Sequence, residues 1–386
     1  MTFIEHIYEA FSSRCQLDVV YLDFEKAFDK IRHDVLLSKL SNFGFHSSAL
    51  SFFASYLRDR QQYVRFKGKF STAFPAPSGV PQGSKLGPLL FLLAINDICA
   101  VPLHSRLLLF ADDLKLFCRI SSIADCHLLQ ADLNALVSWA SRNHFHINIS
   151  KSHFMTFSRR KNPLHFMYHV NSSPLSRAFQ TKDLGVIFDT KLRFSPHIDS
   201  IIKKATQSLG FLLRNTARLY DVNTLKSLYC AFVRSHLEYC SSVWSPNKKA
   251  SKRIERIQGR FVRTIFYRLN GFYPSFPHQI SYNQLLFHID LEPLQSRRIK
   301  NDLNFLHKLF NFSIHDSELL GKLNMQVPFA SLRSYPRPLF SSNFPSGSNL
   351  ARITSKFNSF HRELDIFSSF KAFQRNVIDI LRVVEE

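Results

Sequence analysis

The chain has 386 residues, 45% of them hydrophobic and 20% charged, enough to bury a sizeable core and to form more than one domain. Its net charge of +21 points to a polyanionic partner, nucleic acid above all. Six cysteines without a C-x-x-C pair exclude a zinc knuckle and a disulfide framework, and no secretory signal or membrane-length apolar run is present, so a reduced intracellular setting is expected, nuclear or cytoplasmic.

In chain order, the first signal is the apolar run Val19-Val20-Tyr21-Leu22, which predicts a strand ending at Asp23 and continuing as Phe24-Glu25-Lys26-Ala27-Phe28-Asp29. Next comes Ser78-Gly79-Val80-Pro81-Gln82-Gly83-Ser84-Lys85-Leu86-Gly87-Pro88. Three of the eleven glycines fall within nine residues here, predicting a loop against which something bulky can lie. The apolar stretch Leu89 to Ile95 predicts a buried helix opening near Ser84, its amide-rich start available to phosphate. The alternative for this segment alone is an ordinary Gly/Pro turn before a core helix.

Leu107 to Phe110 and Leu114 to Phe117 predict a strand, tight turn and strand with Asp112 and Asp113 at the crown. Adjacent carboxylates on a rigid hairpin repel unless a cation neutralises them, although Asp is also a common turn residue. If the two strands are neighbours, Asp23 and Asp112 face each other at their ends. Oxygen-only ligands suit a hard divalent ion such as magnesium and two-metal phosphoryl transfer.

Leu128 to Trp139 carries apolar residues at helical spacing, followed by Phe145-His146-Ile147-Asn148-Ile149-Ser150-Lys151. Leu164 to Val170, the Asn171-Ser172-Ser173 turn and Leu184 to Phe188 read as further strands. Ser195-Pro196 reads as a cap opening a helix to Leu213, with helices at Val222 to Val243 and Ala250 to Phe266. Helix-like Gln284 to Asn311, a loop-rich Pro328 to Asn349 and a last helix-like run near Phe367 to Val384 complete the chain. Charge is unevenly spread. Residues 1–150 hold 15 basic and 13 acidic side chains, whereas residues 201–270 hold 14 and 3. Such a stripe fits a grip on a sugar-phosphate backbone, the bland alternative being a solvated helix face.

Taken together, Leu22 to Asp29, Ser78 to Phe91 and Phe110-Ala111-Asp112-Asp113 resemble, in order and spacing, motifs A, B and C of reverse transcriptases of non-long-terminal-repeat (LINE, jockey-like) retrotransposons. Phe145 to Lys151 resembles motif D. The resemblance implies an α+β fold: a right-hand polymerase palm, an antiparallel sheet with packed helices, over 1–190 with the fingers largely missing. It also implies a mostly helical basic thumb over 191–270 and a C-terminal region over 271–386 of unknown role.

The function implied is RNA-directed DNA synthesis, with an RNA template, a DNA primer and deoxynucleotides as partners. Asp23, Asp112 and Asp113 would be the catalytic and metal-binding carboxylates, Asp113 in support, with two Mg2+ ions that Mn2+ can replace. Phe24, Phe28, Gln82, Gly83 and Lys151 would meet the nucleotide, Phe28 as a gate against the 2′-hydroxyl and Lys151 beside the leaving pyrophosphate; a core Phe and a solvated Lys are the bland alternatives. The family places a fingers region before motif A, for which Met1 to Tyr21 leave no room. An N-terminally truncated chain with weak or no activity alone is therefore expected, and the rival to an enzyme is a nucleic-acid-binding remnant.

Overall fold

The computed structural model describes residues 1–274, 280–326, 339–341, 344–345, 347–360 and 362–385. They form two units, one of residues 14–180 and the other of residues 1–13 with 181–386.

The 14–180 unit is built on a five-stranded sheet. Helix α1 (Thr2–Ser12) precedes it and belongs to the other unit; then come β1 (Gln16–Leu22), α2 (His33–Asn42), α3 (Ser47–Leu57), α4 (Leu86–Ile95), β2 (Arg106–Phe110), β3 (Asp113–Ile120), α5 (Ile123–Arg142), β4 (His153–Phe157) and β5 (Ser176–Ala178). The strand order is β5-β4-β1-β3-β2. All pairs are antiparallel except β5 with β4. The central strand, β1, is buried at every residue but half-exposed Tyr21, which is why it reads as a continuous apolar run rather than an alternating one. On one face Val20, Leu22, Leu114, Leu116 and Phe154 join a core with Leu90, Phe91 and Ala94 of α4 and Leu129, Leu133 and Leu136 of α5.

Gln16 and Asp18 of β1 are satisfied in place. Tyr168 Oη donates to Asp18 Oδ2 at 2.8 Å and Gln16 Nε2 to Asp18 Oδ1 at 3.1 Å, while Gln16 also exchanges hydrogen bonds with the main chain of Leu164. Burial nonetheless pushes the Asp18 carboxyl above its ordinary range. This ties the 164–168 segment to the sheet through side chains, so the expected strand Leu164 to Val170 shrinks to His169–Val170, paired with Ser173–Pro174. Leu184 and Gly185 likewise turn the chain between Gln180–Asp183 and Val186–Asp189 instead of starting a strand, both with positive φ.

α5 runs longer than expected because Ser122 and Asp125 form a reciprocal capping box at its start.

The second unit is mainly helical. α6 (Ser195–Asn215) is capped by Phe194 in the left-handed region, not by Ser195, which is its first helical residue. The expected helix Val222 to Val243 is broken in two. α7 (Val222–Tyr229) runs on through a π-helical stretch, Cys230–Arg234, into Ser235–Glu238 and breaks at Cys240, where φ is +52°, before Ser241–Trp244. Asp290, also left-handed, splits the expected Gln284 to Asn311 helix into Tyr282–Ile289 and Leu294–Phe310. The helix Lys248–Asn270 buries Ile254, Phe261, Val262 and Ile265 and exposes Lys252, Arg253, Arg256, Arg260 and Arg263. Its basic residues therefore form an outward stripe, of which Arg253 alone pairs, at 2.7 Å with Asp199, among the described residues. A final helix spans Phe370–Glu385. Most of the loop-rich stretch from Pro328 lies outside the described residues. Among the described residues no helix is long and apolar enough to cross a membrane.

Candidate active site

β1 and β3 pair from Gln16↔Ile120 to Leu22↔Leu114. Asp23 leaves β1 one residue beyond the last pair, which brings it level with Asp113 at the start of β3. The strand beside β1 is thus the second arm of the hairpin, and Asp23 aligns with Asp113 rather than with Asp112. Asp112 stands one residue further on, in the two-residue turn closed by Phe110↔Asp113, whose first residue, Ala111, has φ +52°. Asp23 and Asp112 are half-buried and Asp113 is exposed.

Asp23 is held by its main chain. Asn148 N–H donates to its carbonyl at 2.8 Å, and its own N–H donates to Ser152 Oγ at 3.2 Å, a hydroxyl that in turn donates to the Asn148 carbonyl at 2.8 Å. The turn Asn148 to Ser152 therefore brackets the residue and sets where the carboxylate emerges. Asp23 Oδ2 is shut off from solvent and makes no hydrogen bond. The ammonium of Lys151, itself largely exposed, lies 3.7 Å from it.

A second set of contacts joins the segment after Asp23 to the glycine-rich loop. Val80 N–H donates to the Phe28 carbonyl at 2.9 Å, Gly79 N–H to the Ile31 carbonyl at 2.8 Å, Ser78 Oγ to the Asp29 carbonyl at 2.8 Å and Gln82 Nε2 to Asp29 Oδ1 at 2.8 Å. This clasp explains one glycine directly. Gly79 has φ +84°, and a Cβ there would lie 2.7 Å from the Asp29 backbone. Gly83 has φ +79° with open space around it, and at Gly87 a Cβ would meet the Pro81 carbonyl at 2.7 Å. Ser84 Oγ accepts the Gly87 N–H at 2.9 Å, so that amide at the start of α4 is already taken.

Phe28 is half-buried, its ring stacked on Phe91 of α4 with centroids 4.2 Å apart. Phe24 is 3% exposed and packs on Phe145 at 5.4 Å, which leaves only its main chain for any nucleotide. Gln82 and Gly83 are exposed. The structure thus brings Asp23, Asp112, Asp113 and Lys151 to one end of the sheet and links Phe28 with Gln82 through Asp29. Reading the sequence alone missed the roles of Ser152, Asn148 and Asp29. The signal for the first two was present in Asn148-Ile149-Ser150-Lys151-Ser152, a string of turn residues with short side chains that bond nearby main chain.

Among the described residues no group of three or more His, Cys, Asp or Glu side chains is arranged to hold a metal ion. The donors at the site are nevertheless all carboxylate oxygens, one of them buried without a hydrogen bond. That set fits magnesium, which binds through one or two carboxylates and substrate phosphates rather than in an all-protein cage.

Comparison with known proteins bears on the same stretch. A family profile described as "Reverse transcriptase (RNA-dependent DNA polymerase)" matches residues 10–210. The chain is 28% identical over 273 residues to a probable RNA-directed DNA polymerase from transposon BS of Drosophila melanogaster, covering 68% of this chain and 30% of that protein. It is 30% identical over 271 residues to the probable polymerase from transposon X-element of the same fly, with the same coverage, and 31% identical over 225 residues to the polymerase from its mobile element jockey, covering 54% and 24%. The chain thus spans about a third or less of the length of these relatives. A solved telomerase from Candida albicans, in complex with a fragment of telomeric RNA, overlaps at a TM-score of 0.31 and 13% identity over 83% of this chain and 54% of that one, too loose a likeness to bear on the fold.

Proposed function

The chain belongs to the reverse transcriptase (RNA-dependent DNA polymerase) family, and from that premise we propose that it copies RNA into DNA, adding deoxynucleotides to a primer 3′-hydroxyl. The observation that carries the reading is the Asp23 carboxylate. Its Oδ2 has no hydrogen bond and faces the exposed Lys151 ammonium at 3.7 Å, and it sits beside two further aspartates at the end of a rigid sheet, where gathered like charges call for more cation than one solvated lysine supplies.

Asp23 and Asp112, with Asp113 in support, would hold two Mg2+ ions, or Mn2+ in their place. When bound, these ions supply charge neutralisation at the α-phosphate and activation of the primer hydroxyl. The remaining work is positioning, as in other phosphoryl transfers. Phe28, fixed by its stack on Phe91, offers its free edge beneath the nucleotide sugar and rejects a 2′-hydroxyl by contact. Gln82 is presented to the nucleotide by its bond to Asp29, and Gly83, without a Cβ, lets the sugar or template approach closely. Lys151 stands by Asp23 until substrate arrives and then gives its charge, or a proton, to the leaving pyrophosphate.

In this reading the sheet-bearing unit is the palm and the helices from 191 to 270 the thumb, whose exposed stripe on Lys248–Asn270 grips the primer–template backbone. Residues 271–386 are assigned no role in it.

Primer extension on an RNA template with magnesium and deoxynucleotides tests the assignment. Asp112→Asn is expected to abolish incorporation while leaving RNA binding intact. Equal incorporation by wild type and variant would overturn it.

A further inference from the structure

Beyond the 10–210 match, three helices of the second unit converge on an open cavity of about 520 Å³. Lys248 and Ser251 come from the first turn of Lys248–Asn270, Arg298 and Asp302 from Leu294–Phe310, and Arg352 and Lys356 from Asn349–Ser359. Four of the charged side chains lining it are cationic and one is anionic, and the anion is engaged through one oxygen: Asp302 Oδ2 pairs with Arg352 Nη1, while Arg352 Nη2 donates to the Ser242 carbonyl at 2.8 Å.

Arg298 is the unusual member. It is only 6% exposed, its Nη2 donates to Ser251 Oγ at 2.7 Å, and its Nη1 is buried with no hydrogen-bond partner. Among the described residues no carboxylate pairs with it, and none pairs with Lys248 or Lys356; the Lys356 ammonium lies over the Phe360 ring at 4.7 Å. A guanidinium cannot shed its proton to escape burial, and Glu255 and Glu238 offset its charge only through space, so this cation, held in protein without an ion pair, attracts an anion from outside. A guanidinium fork, lysine ammoniums and serine hydroxyls around one open cavity form the donor set that phosphate takes.

We propose that this cavity is a phosphate-binding site, separate from the polymerase residues, which takes either a phosphodiester of a nucleic-acid strand or the phosphate of a small molecule. The competing structural account is specific. Asp302 Oδ1 also lacks a partner and lies four residues from Arg298 on the same helix, so a side-chain rotation could pair the two.

The test is thermal unfolding of the full chain in chloride buffer, with and without inorganic phosphate at matched ionic strength. Wild type is expected to gain several degrees with phosphate, and Arg298→Met and Lys356→Ala to lose most of that gain. Arg298→Met should be no less stable than wild type without phosphate, because it removes a buried charge. A phosphate gain that survives in both variants, no gain in wild type, or an Arg298→Met protein destabilised in chloride would overturn the proposal, the last result marking an Arg298–Asp302 pair. A second arm names the source. If Lys356→Ala weakens binding of a single-stranded RNA oligonucleotide several-fold and inorganic phosphate competes with it, the ligand is a phosphodiester; if oligonucleotide affinity is unchanged while the phosphate gain is lost, it is a small phosphorylated molecule.

Discussion

Gly79→Ala tests the clasp between the two segments that present Phe28 and Gln82. One cost, the contact with the Asp29 backbone, separates this glycine from its neighbour Gly83. Both have left-handed φ, +84° and +79°, where an alanine costs about 1–2 kcal/mol. Loss of glycine's freedom in the unfolded chain returns about 0.4–1 kcal/mol of that in each case. Gly83→Ala, with nothing within 4 Å of its new Cβ, should therefore cost about 1 kcal/mol or less. At Gly79 the Cβ would lie 2.7 Å from the Cα and carbonyl oxygen of Asp29, and neither can swing aside as a flexible side chain would. Forcing a methyl into such a contact adds about 1–3 kcal/mol. The gap between the two variants should be about 2 kcal/mol, which for a unit of this size is a difference of about 4–8 °C in unfolding temperature. Differential scanning fluorimetry of the two variants beside wild type measures it. Equal losses would refute the reasoning, because they would mean that the Asp29 backbone yields and the clasp is not a fixed feature. Where the gap is found, selectivity for deoxynucleotides over ribonucleotides should also fall in Gly79→Ala, since the Phe28 main chain is one partner in the displaced contact.

Two further outcomes follow from single contacts. Ser152→Ala removes the buried hydroxyl that accepts the Asp23 N–H and should cost about 1–2 kcal/mol of stability; because Ser152 positions Asp23 without reaching substrate, steady-state primer extension should show kcat falling with the deoxynucleotide KM nearly unchanged, and a change confined to KM would contradict that role. His197 is pushed down to about 4 by burial and then by the charge of Lys204, and Ile187 N–H donates to its Nδ1 at 3.3 Å, an acceptor that protonation destroys. A depressed histidine pKa contributes stability present above the ordinary value of 6.5 and lost as pH falls toward 4, here about 3 kcal/mol over that window. Urea unfolding at pH 7, 5.5 and 4 should show the advantage of wild type over His197→Asn shrinking by that amount, and a constant difference would be inconsistent with a neutral buried imidazole.

Legibility in the sequence tracked how local each cause was. The strand before Asp23, the hairpin bearing Asp112 and Asp113, and α4 and α5 were visible because their apolar spacing is a direct consequence of burial. The carboxylates were visible because they interrupt those runs. What stayed hidden depended on partners distant in sequence. The expectation that Asp23 faces Asp112 needed to know which arm of the hairpin lies beside β1, and it is β3. Phe24 and Phe28 look alike in the motif, yet one is in the core against Phe145 and the other stacks half-exposed on Phe91. The helix break at Cys240 has no glycine or proline near it to announce it, whereas the one at Asp290 is followed by Pro293, which caps the next helix and was a legible signal.

The same imposed conformations surround the candidate active site, and they bear on how it is held. Lys26, Ala111 and His144 all have positive φ, at +47°, +52° and +59°, the first two within the segments that resemble motifs A and C and the third just before the one that resembles motif D. None is glycine, so each stores about 1–2 kcal/mol of local strain. Each is offset by contacts a relaxed chain would lose. The Lys26 carbonyl accepts from both Asp29 and Lys30, Ala111 lets the hairpin turn in two residues, and His144 ends α5 so that Phe145 N–H reaches back to the Ala140 carbonyl at 2.8 Å. The Phe145 ring thereby returns to Trp139 and Phe24, and Asn148 arrives opposite Asp23. Asp23 is thus fixed by main-chain hydrogen bonds and aromatic packing rather than by hydrogen bonds to its Oδ2, which faces the Lys151 ammonium at 3.7 Å. Under the proposed function, a site organised this way would keep its shape before metal and nucleotide arrive.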